Sequence, residues 1–304
     1  MSDYPRYQKP EHRKPMVPAF LFEKTELWQP CLRHSYSISS VPLESGLRLR
    51  QLRIPSKSCH GKKILFFSDL HVRNESVVSL FPFFLIGRGI SWLEDAFQEL
   101  FENISSPDYI LFGGDMVSEA SLLDNTLNFL AKYMPATSQR YAVTGNWEMR
   151  RIWLRNTWKD IFQKANFSLL KECCPNDMTL NPCFEIRGIA DAKEDYPKEP
   201  SLFMNRNSFH CVLTHSPDSA ILALSQDFLT QTDLILAGHT HGGQIRFPGL
   251  RAAVTSSRFK DKFAYGLYEH KQTRTLMYVT AGIGVTWFHV RMFQPPEVLL
   301  IEFI

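Results

Sequence analysis

Cysteine is scarce in this sequence, and its placement excludes one common kind of structural site. The six cysteines of the 304-residue chain form no Cys-x-x-Cys pair, so a zinc site built from paired thiolates is not expected. Their wide spacing is typical of free thiols in a reducing compartment and not of a disulfide framework.

Long apolar runs are also absent, and so is a large charge of either sign. No stretch reaches the roughly 20 apolar residues that a membrane-spanning helix needs, and no apolar segment typical of a secretory signal follows the N-terminus. The formal net charge is only +3, which disfavours nucleic acid as a partner. We find neither an internal repeat nor a low-complexity segment. These absences predict a cytoplasmic globular protein.

The chain divides into a polar N-terminal segment and a domain-sized remainder. Residues 1–45 are rich in proline and charge, and they predict an extended arm laid over the domain. Residues 46–304 contain ample apolar material for a core. Within this domain, an apolar insert near 76–93 interrupts the alternation of strands and helices.

Short apolar runs that end in polar loops recur through the domain and predict buried strands. These runs are 63–68, 109–113, 141–144, 211–214 and 234–237, preceded by an alternating strand pattern at 47–54. Helical patterns lie at 93–104, 122–133 and 152–164, whereas 275–280 and 298–303 resemble strands without an intervening helix. This order predicts an α/β fold in which two sheets pack together with helices outside.

Five polar clusters follow these predicted strands in chain order. They are Asp69-Leu70-His71, Gly114-Asp115, Gly145-Asn146, His215 and Gly238-His239-Thr240-His241. Ligands at the carboxyl ends of strands are typical of open α/β sheets, and residues i and i+2 of an extended or tight loop point to one side. Carboxylate, imidazole and amide oxygen donors suit Mn, Fe or Zn better than Ca. The clusters therefore predict a site for two divalent metal ions, with Asp115 as the natural bridging carboxylate.

Each cluster taken alone has an ordinary structural explanation. Gly-Asp and Gly-Asn pairs are usually turns, and a single histidine such as His215 is more often a satisfied polar residue than a ligand. The order of all five clusters, each at a strand end, favours the metal site. Two metal ions roughly 3.5–4 Å apart can activate a water molecule and hold phosphoryl oxygens. The site therefore indicates hydrolysis of a phosphate ester or anhydride.

The ordered clusters resemble the motifs of the calcineurin-like metallophosphoesterases, over about residues 63–280. This resemblance implies a four-layer α/β/β/α sandwich and two divalent cofactor ions, with Mn²⁺ favoured and Fe or Zn as alternatives. It implies one ion bound by Asp69, His71 and His241, and a second bound by Asn146, His215 and His239, with Asp115 shared. The residues expected to carry catalysis are Asp69, His71, Asp115 and Asn146.

Trp147 departs from the family pattern, because a histidine that assists the leaving group usually follows the asparagine. An indole donates a hydrogen bond but cannot transfer a proton at neutral pH. General acid assistance is worth about 10²–10⁴-fold where it is needed, but a phosphate monoester, whose second pKa is about 6, departs without it. The departure indicates either an impaired site or a phosphoanhydride substrate. Retention of every inferred ligand favours the anhydride.

Two segments beside the clusters predict how a substrate is held. Residues 80–93 are strongly apolar but contain glycine and proline, so they either pack on the sheet or form an apolar lip for acyl chains or a membrane surface. Basic residues at 151, 155 and 159 recur every four residues among aromatic side chains and predict one stripe of a helix. This stripe is either a solvated basic face or a contact for a diphosphate, a nucleotide or anionic headgroups. The residues predicted to bind substrate are Phe83, Phe84, Trp92, Trp147, Arg150, Arg151 and Arg155.

Within the family, these features resemble enzymes that act on a lipid-linked nucleotide. The leading hypothesis is hydrolysis of the pyrophosphate of UDP-2,3-diacylglucosamine to UMP and 2,3-diacylglucosamine 1-phosphate (lipid X), a step of lipid A synthesis. Such an enzyme is expected to be cytoplasmic and peripheral on the inner membrane. The alternatives are another phosphodiesterase or phosphatase of the family, and a catalytically silent scaffold that binds a protein partner.

Overall fold

The structure is a computed structural model, and it describes residues 19–33, 35–74, 78–81, 84–86, 89–150, 157–170, 183–189, 191, 197–247, 250–252, 254–286 and 290–304, with the backbone alone at 19–22, 78–81 and 84–86. The strands within these residues are β1 (Trp28–Pro30), β2 (Ser37–Pro42), β3 (Arg48–Ile54), β4 (Lys63–Phe67), β5 (Val78–Phe81), β6 (Phe84–Ile86), β7 (Tyr109–Phe112), β8 (Gln139–Ala142), β9 (Ser168–Leu169), β10 (Phe184–Ile189), β11 (Phe209–Thr214), β12 (Leu234–Ala237), β13 (Gly266–His270), β14 (Leu276–Val279), β15 (Val290–Met292) and β16 (Glu297–Phe303). The α-helices are α1 (Ala19–Glu26), α2 (Ile90–Asn103), α3 (Leu123–Tyr133), α4 (Asn146–Met149), α5 (Trp158–Gln163), α6 (Pro217–Ala223) and α7 (Gln226–Leu229).

The strands form two large mixed sheets and one small sheet. The seven-stranded sheet has the order β2-β3-β16-β4-β7-β8-β9, and the six-stranded sheet has the order β1-β13-β14-β12-β11-β10. Strands β4, β7, β8 and β9 are parallel, as are β10, β11, β12 and β14. Parallel neighbours end on the same side of their sheet, so the loops after these strands gather at one edge.

Alternation along single strands shows how the layers pack. In β4, Leu65 and Phe67 belong to a core shared with α2, α3 and α5, whereas Ile64 and Phe66 belong to a core shared with the six-stranded sheet. Successive side chains of a strand point to opposite faces, so the seven-stranded sheet has helices on one face and the other sheet on the opposite face. A third core lies between β11, β12 and helices α6 and α7. The four-layer α/β/β/α prediction is confirmed.

The elements predicted from apolar patterns lie close to those observed. The run at 234–237 is β12 itself, and α3 begins one residue after the start of the helical pattern at 122–133 and ends with it. The pattern at 152–164 corresponds to α5, but residues 152–156 lie outside the described part of the chain. In the described residues, no helix is both long enough and apolar enough to cross a bilayer.

The segment before residue 45 contributes to both large sheets. Strand β1 pairs with β13 at the edge of the six-stranded sheet, and β2 pairs with β3 at the edge of the seven-stranded sheet. The side chain of Lys24 in α1 donates to the carbonyl of Leu224 at the end of α6, over 3.2 Å. Strands β1 and β2, both from the N-terminal side of the chain, are therefore outermost strands of the two large sheets.

The apolar insert contributes to two different parts of the fold. Strands β5 and β6 form a hairpin that pairs with β15 in the small antiparallel sheet. Residues 90–93 instead begin helix α2, and Trp92 packs in the core with its indole N–H donating to the carbonyl of Ser45 over 2.9 Å. Substrate contact was expected for Trp92, but the structure places its ring against the sheet because it lies on the buried face of α2.

Candidate dinuclear metal centre

The five predicted clusters converge because they follow parallel strands of both sheets. Asp69 comes two residues after β4 and Asp115 three residues after β7, in the seven-stranded sheet. His215 directly follows β11, and His239 comes two residues after β12, in the six-stranded sheet. The carboxyl ends of the parallel strands of both sheets thus bring acidic and imidazole groups together on the same side of the sandwich.

The loops that carry these residues have unusual backbone conformations. Positive φ angles occur at Asp69 (57°), His71 (42°), Asp115 (58°), His239 (71°) and His241 (53°). Positive φ is uncommon for residues other than glycine and recurs at functional sites, where the surrounding structure maintains it. These tight loops bring residues i and i+2 of both histidine motifs to the same side, which the sequence spacing predicts.

Asp69, His71 and His241 form the first cluster of buried ligand atoms. One ligand atom from each lies within 4.8 Å of the others. The rings of His71 and His241 have centroids 5.0 Å apart, and Nε2 of His241 is 3.6 Å from Oδ1 of Asp69. The backbone N–H of His239 donates to Oδ2 of Asp69 over 2.9 Å. This hydrogen bond connects the first cluster to the loop of His239, which belongs to the second cluster.

Asp115, His215 and His239 form the second cluster, and they meet the same 4.8 Å criterion. Nε2 of His215 lies 3.0 Å from Nδ1 of His239, 3.3 Å from Oδ1 of Asn146 and 3.4 Å from Oδ2 of Asp115. Oδ2 of Asp115 is also 3.3 Å from Nε2 of His71 in the first cluster. Asp115 therefore lies between the two clusters, at the position expected of a shared ligand.

Burial and mutual charge set the protonation of the centre. Burial alone would raise the pKa of Asp115, but His215 and His71 hold it well below its usual value. Burial lowers the pKa of His241 well below 6.5, and neighbouring His71 and Arg291 act in the same direction. These directions favour an anionic Asp115 and a neutral His241, which are the forms that bind metal ions. Burial lowers the pKa of His215, but the charge of Asp115 raises it well above its usual value, so a metal ion bound there would displace a proton.

The donor set fits two divalent cations. Nδ1 of His215 lies 2.7 Å from the carbonyl oxygen of Gly113, which can only accept, so Nδ1 donates and Nε2 faces the cluster. Nε2 of His71 is buried, and its 3.3 Å contact with Oδ2 of Asp115 does not meet hydrogen-bond geometry within the described residues. Buried polar atoms in native proteins normally have partners, and a metal ion would supply one here. Two carboxylates, four imidazoles and the Asn146 amide oxygen match the preference of Mn, Fe and Zn for oxygen and nitrogen.

Glu148, two residues after Asn146, holds the loop of Asp115 against the loop of Asn146. Its buried carboxylate accepts hydrogen bonds from the backbone N–H groups of Asp115 (2.9 Å), Met116 (2.6 Å) and Gly145 (2.7 Å). Burial raises the pKa of Glu148, the charge of Asp115 adds to this effect, and the three backbone donors oppose it. Glu148 therefore positions the loops of Asp115 and Asn146 without facing the cleft.

Arg291 is a second supporting residue, which sequence reasoning missed. Its side chain is buried beside the centre and donates to the carbonyls of Gly284 (2.9 Å from Nε) and Ala281 (2.7 Å from Nη2). A longer contact of 3.4 Å reaches the carbonyl of His241. Burial lowers its pKa to about 10. No local motif marks this arginine, since its partners are carbonyls of a loop that only the fold brings near.

Close approach of the loops requires glycine at the motif positions, of which Gly145 and Gly238 are two. A Cβ on Gly145 would overlap Oδ1 of Asp115, and a Cβ on Gly238 would overlap the side chains of Ser68 and Asp69. Both glycines therefore serve the motif by lacking a side chain, and the polar residue beside each can pack directly against the opposite loop.

Trp147 lies at the mouth of the centre. Its backbone N–H donates to Oδ1 of Asp115 over 2.8 Å, and its ring stands edge-on to that of His71, with centroids 5.4 Å apart. The guanidinium of Arg150 is 5.8 Å from the centre of the Trp147 ring. The cleft is lined by Asp115, Asn146, Trp147, Arg150, His239, His241, Ser256 and Thr286.

The predicted substrate contacts are only partly brought together. Trp147 and Arg150 line the cleft, whereas Trp92 lies in the core. Arg151, Arg155 and Phe83 lie outside the described residues, and Phe84 is described only by its backbone in β6. Trp158, from the same basic and aromatic segment, is buried and donates to the carbonyl of Glu148 over 3.1 Å. The indole of Trp158 therefore supports the backbone of α4, which carries Asn146 and Glu148.

Comparison with known proteins gives the same assignment. Residues 62–243 match the model of the calcineurin-like phosphoesterase family. The chain is 27% identical to the UDP-2,3-diacylglucosamine pyrophosphatase LpxG of Chlamydia muridarum, over 84% of this chain and 89% of that protein. It is 29% identical to the phosphodiesterase YaeI of Escherichia coli K12, over 80% of this chain and 82% of that protein. It is also 36% identical to an uncharacterized metallophosphoesterase of Campylobacter jejuni, over 66% of this chain and 51% of that protein.

The family match spans more than half of the chain and includes all five clusters. Two buried clusters of aspartate and histidine ligands lie within that span. The chain therefore belongs to the calcineurin-like phosphoesterases, which hydrolyse phosphoester bonds at a centre of two metal ions.

Proposed function

We propose that this protein hydrolyses the pyrophosphate bond of UDP-2,3-diacylglucosamine and releases UMP and 2,3-diacylglucosamine 1-phosphate. The observation that carries the proposal is the composition of the cleft. Among the described residues that line it, every carboxylate and imidazole belongs to the two ligand clusters. The remaining polar side chains are Arg150, Ser256 and Thr286, together with the amide of Asn146, and none of these is an effective proton donor at neutral pH.

The described lining of the cleft offers no proton donor outside the ligand clusters, and such a lining favours substrates whose leaving group departs as a stable anion. In a pyrophosphate, the departing group is a phosphate monoester, whose second pKa is about 6. In an alkyl phosphomonoester, the departing alkoxide needs a proton, and an enzyme that lacks an acid forgoes roughly 10²–10⁴-fold in rate. Trp147 stands at the sequence position where the family usually has the histidine acid, and its ring is edge-on to that of His71. The similarity to LpxG supports the choice of anhydride.

The residues of the chain have separable roles in this reaction. Metal ions bound by the two clusters would supply an activated water molecule and neutralise charge that develops on the phosphoryl group. Trp147 excludes water and offers a flat apolar face beside the first cluster. The guanidinium of Arg150 lies beside that ring and can donate a charge-assisted hydrogen bond to a phosphate oxygen of the substrate. Glu148 and Arg291 hold the ligand loops in place.

The test measures hydrolysis of the lipid-linked nucleotide beside an alkyl phosphomonoester such as glycerol 1-phosphate, with Mn²⁺ added. The parent protein should prefer the anhydride, and Trp147→His should raise the monoester rate relative to the anhydride rate by at least about tenfold. Trp147→Phe is the matched control, since it keeps an aromatic ring beside His71 and supplies no proton. A parent protein that prefers the monoester would overturn the proposal while leaving the metal centre intact.

A second candidate is hydrolysis of a phosphodiester of another class. The similarity to the phosphodiesterase YaeI, at 29% identity, favours this alternative. It predicts cleavage of bis(p-nitrophenyl) phosphate at a rate that exceeds the anhydride rate, because an aryloxide also departs without an acid. The ratio of those two rates in the parent protein separates the candidates.

A further inference from the structure

Exposed apolar side chains are concentrated at one place on the described surface. Four of its ten exposed large apolar residues are Phe247, with 48% of its surface exposed, Leu250 (64%), Val254 (66%) and Phe293 (38%). We name these four residues the apolar rim. Scattered single apolar residues are normal on a protein surface, but a group of them marks a contact site.

Backbone pairing connects the two loops that carry the apolar rim. The N–H of Arg246 donates to the carbonyl of Met292 over 3.0 Å, and the N–H of Met292 donates to the carbonyl of Gln244 over 2.9 Å. The rings of Phe247 and Phe293 have centroids 5.5 Å apart, and the N–H of Leu250 donates to the carbonyl of Phe247 over 3.0 Å. Phe247, Leu250 and Phe293 are therefore neighbours on one surface, held there by backbone hydrogen bonds and by contact between the two rings.

The apolar rim adjoins the mouth of the metal centre. Val254 is two residues before Ser256, which lines the cleft. The carbonyl oxygen of Val254 lies 3.6 Å from the point that a Cβ on Gly243 would occupy, and Gly243 is two residues after the ligand His241. Gln244 accepts a hydrogen bond from the N–H of Thr286, another cleft residue, over 2.9 Å. A surface that contacts the rim would therefore cover the entrance of the cleft.

The small sheet extends the same region. Strand β15 ends next to Phe293 and pairs with β6, whose hairpin partner β5 completes the sheet. Arg291 of β15 points inward to the loops of the centre, so Val290 and Met292 point to the opposite face, since strand side chains alternate. Those two residues are half-buried. Strands β5 and β6 thus lie in a sheet whose last strand, β15, leads into the rim.

The segment that carries three of the four rim residues is positively charged, although Arg251 pairs with Asp261 and Lys262 with Glu26. Residues 246–262 contain five basic residues and one acidic residue, which gives this segment a net charge of +4, against +3 for the whole chain. Exposed members of this segment include Arg251, Arg258 and Lys260. An apolar centre bordered by basic residues is complementary to a bilayer with anionic headgroups, because the acyl region accepts the rings while the phosphates face the cations.

We propose that the apolar rim and its basic border dock on an anionic lipid bilayer, with the mouth of the metal centre facing the membrane. The proposal goes beyond the substrate assignment, because docking depends on the rim and not on the reaction. It also has a consequence for a substrate with acyl chains, which would enter the cleft from the bilayer surface without crossing water.

Sedimentation with lipid vesicles tests the proposal. The full-length protein should sediment with vesicles of phosphatidylglycerol and phosphatidylethanolamine, and much less with vesicles of phosphatidylcholine alone. The double variant Phe247→Ser, Phe293→Ser should bind at least about tenfold more weakly, since each ring loses apolar burial. The double variant Arg251→Gln, Arg258→Gln should lose roughly fivefold for each charge removed.

A matched control removes exposed apolar residues elsewhere. Leu202 and Met204 are 51% and 64% exposed and precede β11, at the opposite end of that strand from His215. The double variant Leu202→Ser, Met204→Ser should bind vesicles like the parent. Thermal unfolding and hydrolysis of a soluble aryl diester should be equal in all three double variants, which separates a docking defect from a folding or catalytic defect.

Three results would overturn the proposal. The first is unchanged vesicle binding in the Phe247→Ser, Phe293→Ser variant. The second is an equal loss in the Leu202→Ser, Met204→Ser control. The third is a parent protein that is dimeric in solution and becomes monomeric when the two phenylalanines are replaced, because a second copy of the chain would then cover the rim.

Discussion

Glu148 offers the sharpest test of how the metal centre is held together. Its Oε1 accepts from the N–H of Met116, and its Oε2 accepts from the N–H groups of Asp115 and Gly145. Glu148→Gln replaces one oxygen with an NH₂ group, so at least one buried N–H then faces another donor. Leaving a buried donor without an acceptor costs about 1–3 kcal/mol. Glu148→Ala removes the acceptor of all three donors and should cost roughly 3–9 kcal/mol, comparable with the typical domain stability of about 5–15 kcal/mol.

Urea unfolding in the presence of a chelator measures this cost without a contribution from bound metal. We expect Glu148→Gln to lower the free energy of unfolding by about 1–3 kcal/mol, and Glu148→Ala to lower it further or to prevent folding. Glu102→Gln is a matched control on the exposed side of α2, where the carboxylate accepts from Gln98 at the surface. That substitution should stay within about 0.5 kcal/mol of the parent.

Metal affinity gives a second measurement on the same variant. Loss of a residue that supports metal ligands typically costs about 10–100-fold in affinity, and calorimetric titration with Mn²⁺ would detect this in Glu148→Gln. If the variant matches the parent in both unfolding free energy and Mn²⁺ affinity, the structural role assigned to Glu148 is wrong.

Gly145→Ala would overlap Oδ1 of Asp115, so purified protein should contain less metal by elemental analysis; a full complement of two ions would contradict this. Asp115→Asn should abolish turnover, because it removes the charge shared by both clusters, and undiminished activity would exclude the dinuclear centre. Arg291→Lys should lower the free energy of unfolding by roughly 2–4 kcal/mol in a urea titration, since lysine cannot reach several carbonyls at once; an unchanged midpoint would refute this. Chelation should lower the melting temperature of the parent, because an ion at 100 times its dissociation constant stabilises the fold by about 2.7 kcal/mol, and equal melting curves would indicate that no ion binds.

Much of the fold was readable from local patterns. The apolar run at 234–237 is buried on both sides, and a strand between two layers has such a run irrespective of its neighbours. The four layers were expected from the order of strands and helices, together with the family resemblance. The small sheet of β5, β6 and β15 was not predicted, because β15 lies far along the chain from β6 and pairs with it only after the chain has folded.

The ligands were predictable for a related reason. Each one lies within four residues of the end of a strand, so its position depends on a short motif and on the rule that the carboxyl ends of parallel strands lie on the same side of a sheet. The positive φ angles of Asp69 and His239 are set within the same loops. The sequence by itself therefore determined which residues meet at the centre and which class of reaction they serve.

Only the tertiary structure decided the surroundings of that centre. It placed Trp92 in the core because that residue lies on the buried face of α2, and it placed Arg291 beside the ligand loops although no motif marks it. It also grouped Phe247 and Phe293 on one exposed surface. These features depend on which side chains from distant segments become neighbours, and that is settled by packing between layers and not by any local pattern.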